Sequence, residues 1–197
     1  KPGNSKYVDV NKDGVYNDAD QGIIGCGQPT FNWGWNNTFN YKNFDFSFFV
    51  VGFHGFDIYN ATHQMGYNLI KSQQMAGVTP MRELLNRWTP TNTNTDIPGF
   101  VKGGTENKDF FSTRFVENGS FIKMKSITLG YTLPEATCRS LGINNLRVYA
   151  SVQNPFHITK YSGLDPEATM GSPLVQGVDW GAYPNSRNYL IGLNFSF

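Results

Sequence analysis

No run of 18 or more apolar residues occurs in this chain, which excludes a membrane-spanning helix. Charge is scarce too: Asp, Glu, Lys and Arg make up 16% of the 197 residues, against roughly 25% in an ordinary soluble domain. The basic residues are not clustered and the net charge is +1, which argues against nucleic acid as a partner. Two cysteines, Cys26 and Cys138, are too few for a disulfide framework. His54, His63 and His157 stand singly, and no nucleophile elbow, zinc-protease or phosphate-cradling motif is present, so the chain is read as no enzyme. Asp165, Glu167 and Asp179 are loop carboxylates that no motif pairs for acid–base work.

Aromatic residues and alternation are what the chain has instead. Phe, Tyr and Trp account for 15% of it, while mean hydropathy is −0.40. In the last ten residues, Tyr189, Ile191, Leu193, Phe195 and Phe197 fall on one face and Leu190, Gly192, Asn194 and Ser196 on the other. A strand of about 9–11 tilted residues matches the hydrocarbon thickness of a bilayer, whereas strands of soluble sandwiches run nearer five or six. Four more segments alternate in the same way, so the expected strands are 31–41, 43–53, 120–132, 145–154 and 187–197, consecutive and antiparallel. Trp33, Trp35, Phe39 and Tyr41 share one face of the first, Phe44, Phe46, Phe48 and Val50 of the second, and Leu146, Val148, Ala150 and Val152 of the fourth. In the third, Ile122 and Met124 are out of phase with Ile127, Leu129 and Tyr131, which predicts a bulge or a loop-covered upper half.

Connections alternate between short and long. A tight turn at Lys42 and a short link at 133–144 mark one side; the stretches 1–30, 54–119 and 155–186 mark the other. Short periplasmic turns and long extracellular loops are the asymmetry of bacterial outer-membrane barrels, and place the carboxy terminus in the periplasm. Cys26 and Cys138 then lie on opposite sides of a membrane and are expected not to pair. Thr79, Pro80, Met81, Leu84, Leu85 and Trp88 predict one short amphipathic helix over 79–88, packed within its loop, whereas 89–98 reads as irregular. Trp33, Trp35, Tyr41, Tyr131 and Tyr189 suit the aromatic girdles of a membrane barrel; Trp180 and Tyr183 fit stacking on a sugar ring as well as a place in a girdle. The start, Lys-Pro-Gly-Asn-Ser, has no signal-peptide pattern, so the chain is read as the carboxy-terminal piece of a longer exported protein.

The stretch 9–20, Asp-Val-Asn-Lys-Asp-Gly-Val-Tyr-Asn-Asp-Ala-Asp, has the spacing of an EF-hand or dockerin calcium loop. Asp9, Asn11 and Asp13 supply oxygen at positions 1, 3 and 5, Gly14 the sharp turn, Val15 a backbone carbonyl at position 7 and Asp20 the closing carboxylate, with Asn17 able to contribute at position 9. Acidic groups this close repel one another unless a cation intervenes, so a structural Ca2+ is expected. Asp20 in place of the usual Glu shortens the reach, and the flanks do not resemble paired helices.

That loop with Ile23-Ile24-Gly25, then Phe31-Asn-Trp-Gly, Tyr41-Lys-Asn-Phe-Asp-Phe46, Phe121-Ile-Lys-Met-Lys-Ser-Ile-Thr-Leu-Gly-Tyr-Thr-Leu-Pro134, Val148-Tyr-Ala-Ser-Val-Gln-Asn-Pro155 and Tyr189-Leu-Ile-Gly-Leu-Asn-Phe-Ser-Phe197 resembles the carboxy-terminal end of SusC/RagA-type TonB-dependent outer-membrane transporters of Bacteroidetes. The resemblance runs, in order, over nearly the whole chain. It implies an all-β fold: the last five antiparallel strands of a 22-stranded transmembrane barrel, with a plug, long extracellular loops and one short helix. It also implies oligosaccharide or peptide import energised by TonB, with a SusD-like surface lipoprotein as partner. The alternatives are a secreted, soluble β-rich binding module with a calcium loop, which keeps its fold without detergent, and a passive porin.

Overall fold

Phe31 to Tyr41 and Phe44 to His54 are joined by only two residues, and Lys42 turns the chain with φ +54°. The structure is a computed structural model that describes residues 2–67, 81–99, 111–170 and 175–197. In chain order its elements are β1 (Phe31–Tyr41), β2 (Phe44–His54), β3 (Asp57–Asn60), α1 (Ala61–Tyr67), β4 (Val116–Asn118), β5 (Phe121–Thr132), α2 (Glu135–Ser140), β6 (Asn145–Gln153), β7 (His157–Thr159), β8 (Val178–Asp179) and β9 (Asn188–Ser196). The long strands form one antiparallel sheet in the order β1-β2-β5-β6-β9, neighbours in sequence being neighbours in space. Eleven residues at about 3.3 Å each run about 36 Å, and a tilt near 45° leaves about 25 Å along a membrane normal, the height of the apolar band of an outer-membrane barrel.

Register explains the phase slip in β5. Phe49 pairs with Ser126 but Val50 pairs with Met124, so Lys125 is an extra residue in the ladder. This bulge returns Ile122 and Met124 to the face that carries Ile127, Leu129 and Tyr131. The partner strand breaks at the same level: Asn154 has φ +50°, Pro155 has no N–H to donate, and the chain rejoins β5 as β7. Residues 157–159, read from sequence as loop, therefore belong to the sheet.

The long connections are more ordered than their sequence suggests. Short strands β4, β3 and β8 form a second, three-stranded sheet, antiparallel between β3 and β4 and parallel between β3 and β8. Beneath it Phe56, Ile58, Phe121 and Tyr161 form a buried cluster, with Phe53 packed against it. The helix expected over 79–88 appears within the described residues as a 3-10 turn, Arg82–Asn86, whose preceding residue Met81 offers no side-chain cap. Five residues are too few to offset helix nucleation. Thr79 and Pro80 lie outside the described residues. Two helical turns, α1 and α2, were not foreseen; α2 occupies the short link between β5 and β6 and buries Cys138. Cys26, exposed beside the loop layer, and Cys138 are both free.

Candidate functional site

The sheet has two unlike faces, and the described loop residues cover only one. Paired residues along the ladder collect Trp35 and Phe39 of β1, Phe44, Phe46, Phe48 and Val50 of β2, Ile127, Leu129 and Tyr131 of β5, Val148, Ala150 and Val152 of β6, and Tyr189, Ile191, Leu193 and Phe195 of β9 on a single face. That face is bare: Ile191 is 85% exposed, and Leu193 and Phe195 are each 62% exposed. Its aromatics pack laterally, Phe44 on Tyr131 with centroids 4.7 Å apart and Trp35 edge-on to Phe48 at 5.2 Å. The Trp33 ring lies across Gly52, where a side chain would meet it at 2.4 Å.

The opposite face is polar. Asp45 of β2 and Arg147 of β6 reach across the intervening β5 and form a two-pronged pair, Nε to Oδ1 at 2.9 Å and Nη2 to Oδ2 at 2.6 Å. They meet over Gly130, where a Cβ would fall 2.3 Å from the Asp45 carboxylate. The same guanidinium stacks on Tyr149, whose ring in turn occupies the space above Gly192. Thr128 and Ser151 share a hydrogen bond beside them. Small residues on this face thus make room for a polar lining that a packed soluble core would not contain.

At the loop end of the same face, Lys123 is buried. Its Nζ donates to Asp165 at 2.9 Å and to Glu167 at 2.7 Å, Lys125 also bonds Glu167, and Asn185 donates from its side chain to both carboxylates and from its backbone N–H to Asp165. Burial alone raises these carboxyls, but the Lys123 ammonium holds both below the usual range, helped at Asp165 by the Asn185 and Glu167 backbone amides and at Glu167 by Lys125. A depressed carboxyl contributes stability above its unfolded value and loses it as pH falls, so this contact persists at neutral pH and weakens below about 4. Asp179 is taken up otherwise, accepting from the Tyr161 hydroxyl at 2.5 Å and from the Gly181 and Ala182 amides. Two of the three loop carboxylates therefore share lysines, the third caps a turn, and no acid–base pair is formed from them.

The histidines also have neighbours invisible in the sequence. His63 sits with Nε2 3.3 Å from Glu83 and Nδ1 3.7 Å from Glu117, joining α1 to two other loop segments. The Trp33 indole N–H lies 3.1 Å from His54 Nε2.

Residues 9–20 form a loop curled on its own amides. Asp9 accepts from the Asp13 and Gly14 N–H groups, Asp13 from Val15 N–H and from the Asn11 carboxamide, and Asn11 Oδ1 from Asp13 N–H. Asp20 closes the loop onto its beginning, taking Val10 N–H at 2.8 Å and Asn17 N–H at 2.9 Å, and the Asn17 contact leads in holding its carboxyl below the usual range. Gly14, at φ +81°, supplies the sharp turn. Asn17 turns its carboxamide inward to the Val15 carbonyl and the Ala19 N–H. The donor set is oxygen throughout, which suits a hard cation. Among the described residues, however, no three His, Cys, Asp or Glu side chains are grouped as a metal cage, and Asn11 presents its NH2 to the Asp13 carboxylate while its oxygen is taken by the Asp13 backbone N–H.

Comparison with known proteins follows the sheet. No protein-family model matches the chain. It is 36% identical over its full length to a TonB-dependent receptor, P3, of Formosa agariphila, and covers 19% of that protein. It is 32% identical over its full length to the TonB-dependent receptor SusC of Bacteroides thetaiotaomicron, covering 18% of it. Among solved structures, the RagAB peptide transporter superposes on 93% of the chain with a TM-score of 0.77 at 27% identity, this chain spanning 19% of that one. The chain thus spans about a fifth of the length of the relatives it matches. These likenesses put the sheet in the class of outer-membrane β-barrel walls built by TonB-dependent receptors. Within that class the chain matches the carboxy-terminal part of the SusC/RagA-type TonB-dependent transporters. The relatives are TonB-dependent receptors and a peptide transporter.

Proposed function

We propose that these five strands are one arc of an outer-membrane importer, in which the bare aromatic and aliphatic face meets lipid and the Asp45–Arg147–Tyr149 face lines the lumen. The observation that carries this reading is the one-sidedness of the loops: their described residues pack on the polar face and leave the apolar one uncovered, the reverse of what a soluble domain does with its apolar surface. The loop layer then faces the outside of the cell, and α2, the Lys42 turn and the carboxy terminus face the periplasm. The parent protein takes up an oligosaccharide or a peptide, draws its energy from TonB through a plug, and works with a SusD-like lipoprotein over its mouth. Likeness to SusC and to a peptide transporter supports import as the activity.

Deleting the parent gene in its host, then supplying labelled oligosaccharides and labelled peptides separately, is expected to abolish uptake of one class only. Dissipating the proton-motive force is expected to do the same. Uptake that continues without TonB would make the barrel a passive porin, and a parent protein recovered in the aqueous fraction without detergent would make it a soluble binding module.

The loop 9–20 is the proposed seat of a structural calcium ion, held by Asp9, Asn11, Asp13, the Val15 carbonyl and Asp20. The supporting feature is the run of oxygen donors on one curled loop, with Asp9, Asp13 and Asp20 each accepting from its amides and Gly14 at its turn. Chelator-stripped parent protein is expected to bind calcium in the range of extracellular modules, about 10⁻⁴–10⁻³ M, and Asp9→Ala to abolish binding. No heat of binding at millimolar calcium would remove the ion from this account.

A further inference from the structure

We infer that Lys123 clamps the connection between β7 and β9 inward over the polar face, so that Asp165, Glu167 and Asn185 form a fixed constriction of the solute path. This rests on the proposal that the polar face lines the lumen. Lys123 pairs in register with Val51 of β2 and His157 of β7, and so has the same facing as Asp45 and Ser47 lower in the sheet. Its side chain and that of Asp165 are each only 3% exposed. Two lysines against two carboxylates make the cluster neutral, and Asn185 fills the remaining acceptor positions, so no charge is left unpaired.

The bulge in β5 is what assembles this cluster. An extra residue at 125 brings a second lysine to bear on the carboxylates without turning Ile127, Leu129 and Tyr131 away from the apolar face. Two further attachments hold the same connection: the Tyr161 ring buried with Phe56, Ile58 and Phe121, and the parallel pairing of β8 with β3, where the Tyr59 N–H bonds the Gly177 carbonyl at 2.7 Å. A segment tied at three levels, one of them ionic and buried, is part of the wall and does not swing with each transport cycle. Lys123 is a positioning residue: it sets where the constriction stands.

The test is hydrogen exchange on the full-length protein in lipid, followed in peptides covering 160–168 and 178–187. The wild type is expected to exchange as slowly there as in β5 and β6, with or without added solute. Lys123→Met, which leaves two carboxylates facing one lysine, is expected to exchange at least about tenfold faster in both peptides while β6 and β9 are unchanged. Lys123→Arg keeps the charge and is expected to stay slow. Should Lys123→Met fail to insert, Asn185→Asp adds a third carboxylate to the cluster and is expected to speed the same peptides. Fast exchange in the wild type, or slow exchange in both Lys123→Met and Asn185→Asp, overturns the clamp. The lumen reading is tested apart from it: a fluorophore on Leu193→Cys is expected to be quenched by brominated acyl chains and one on Leu190→Cys not. The reverse pattern overturns the lumen reading whatever the exchange shows.

Discussion

Arginine in place of Leu193 is expected to cost about 2–4 kcal/mol of folding free energy in lipid, and arginine in place of Leu190 within about 0.5 kcal/mol of nothing. The two leucines are three residues apart in the same strand and identical in hydropathy, so only their facing differs. Leu193 pairs with Val148 and lies between the exposed Ile191 and Phe195, in the row proposed to meet acyl chains. A guanidinium there is placed in hydrocarbon, where it has no hydrogen-bond partner. Leu190 pairs with Ser151 and faces the side that carries Arg147 and Tyr149, where water and polar groups solvate a charge. Reversible urea unfolding into lipid vesicles measures both variants. Equal costs would mean that β9 does not separate lipid from lumen.

Phe121→Ala is expected to cost about 3–5 kcal/mol, and to take it from the loop layer rather than from the long strands. Phe121 is 1% exposed, stacks on Phe53 with centroids 5.1 Å apart, meets Phe56 edge-on at 6.3 Å, and shares its cluster with the fully buried Ile58. It is the first residue of β5, separated by two residues from β4 of the three-stranded loop sheet, so the cavity left by truncation opens between those two layers. Protease resistance followed against temperature is expected to show early cleavage in the connections that carry β3, β4 and β8, with the long strands β1, β2, β5, β6 and β9 still protected. Simultaneous loss of both layers would show that the loop sheet has no separate stability.

The barrel wall was legible because its code is local and repetitive. A strand that faces lipid on one side and a wet lumen on the other must alternate over its whole length, and nine to twelve residues leave enough repeats to read. Even the bulge was visible, as the slip between Met124 and Ile127, since one inserted residue inverts every facing beyond it. The same regularity carried the resemblance to SusC/RagA-type transporters. The loop layer left no such trace. Strands β3, β4 and β8 have four, three and two residues, too few for a period, and their partners lie far away in the chain.

Ionic contacts were hidden for a related reason. Asp45 and Arg147 are separated by 102 residues, and Lys123 stands 42 from Asp165 and 44 from Glu167. Nothing local distinguishes Asp165 from any solvated loop carboxylate, and Lys123 looks like the polar half of an alternating strand. Alternation settled which residues form the wall, which of its faces is apolar and where the ladder slips, because each of these follows from backbone geometry within one or two strands. Which groups neutralise one another, and that the connections fold onto the polar face, depends on distances between remote segments, and those exist only once the sheet has brought its strands together.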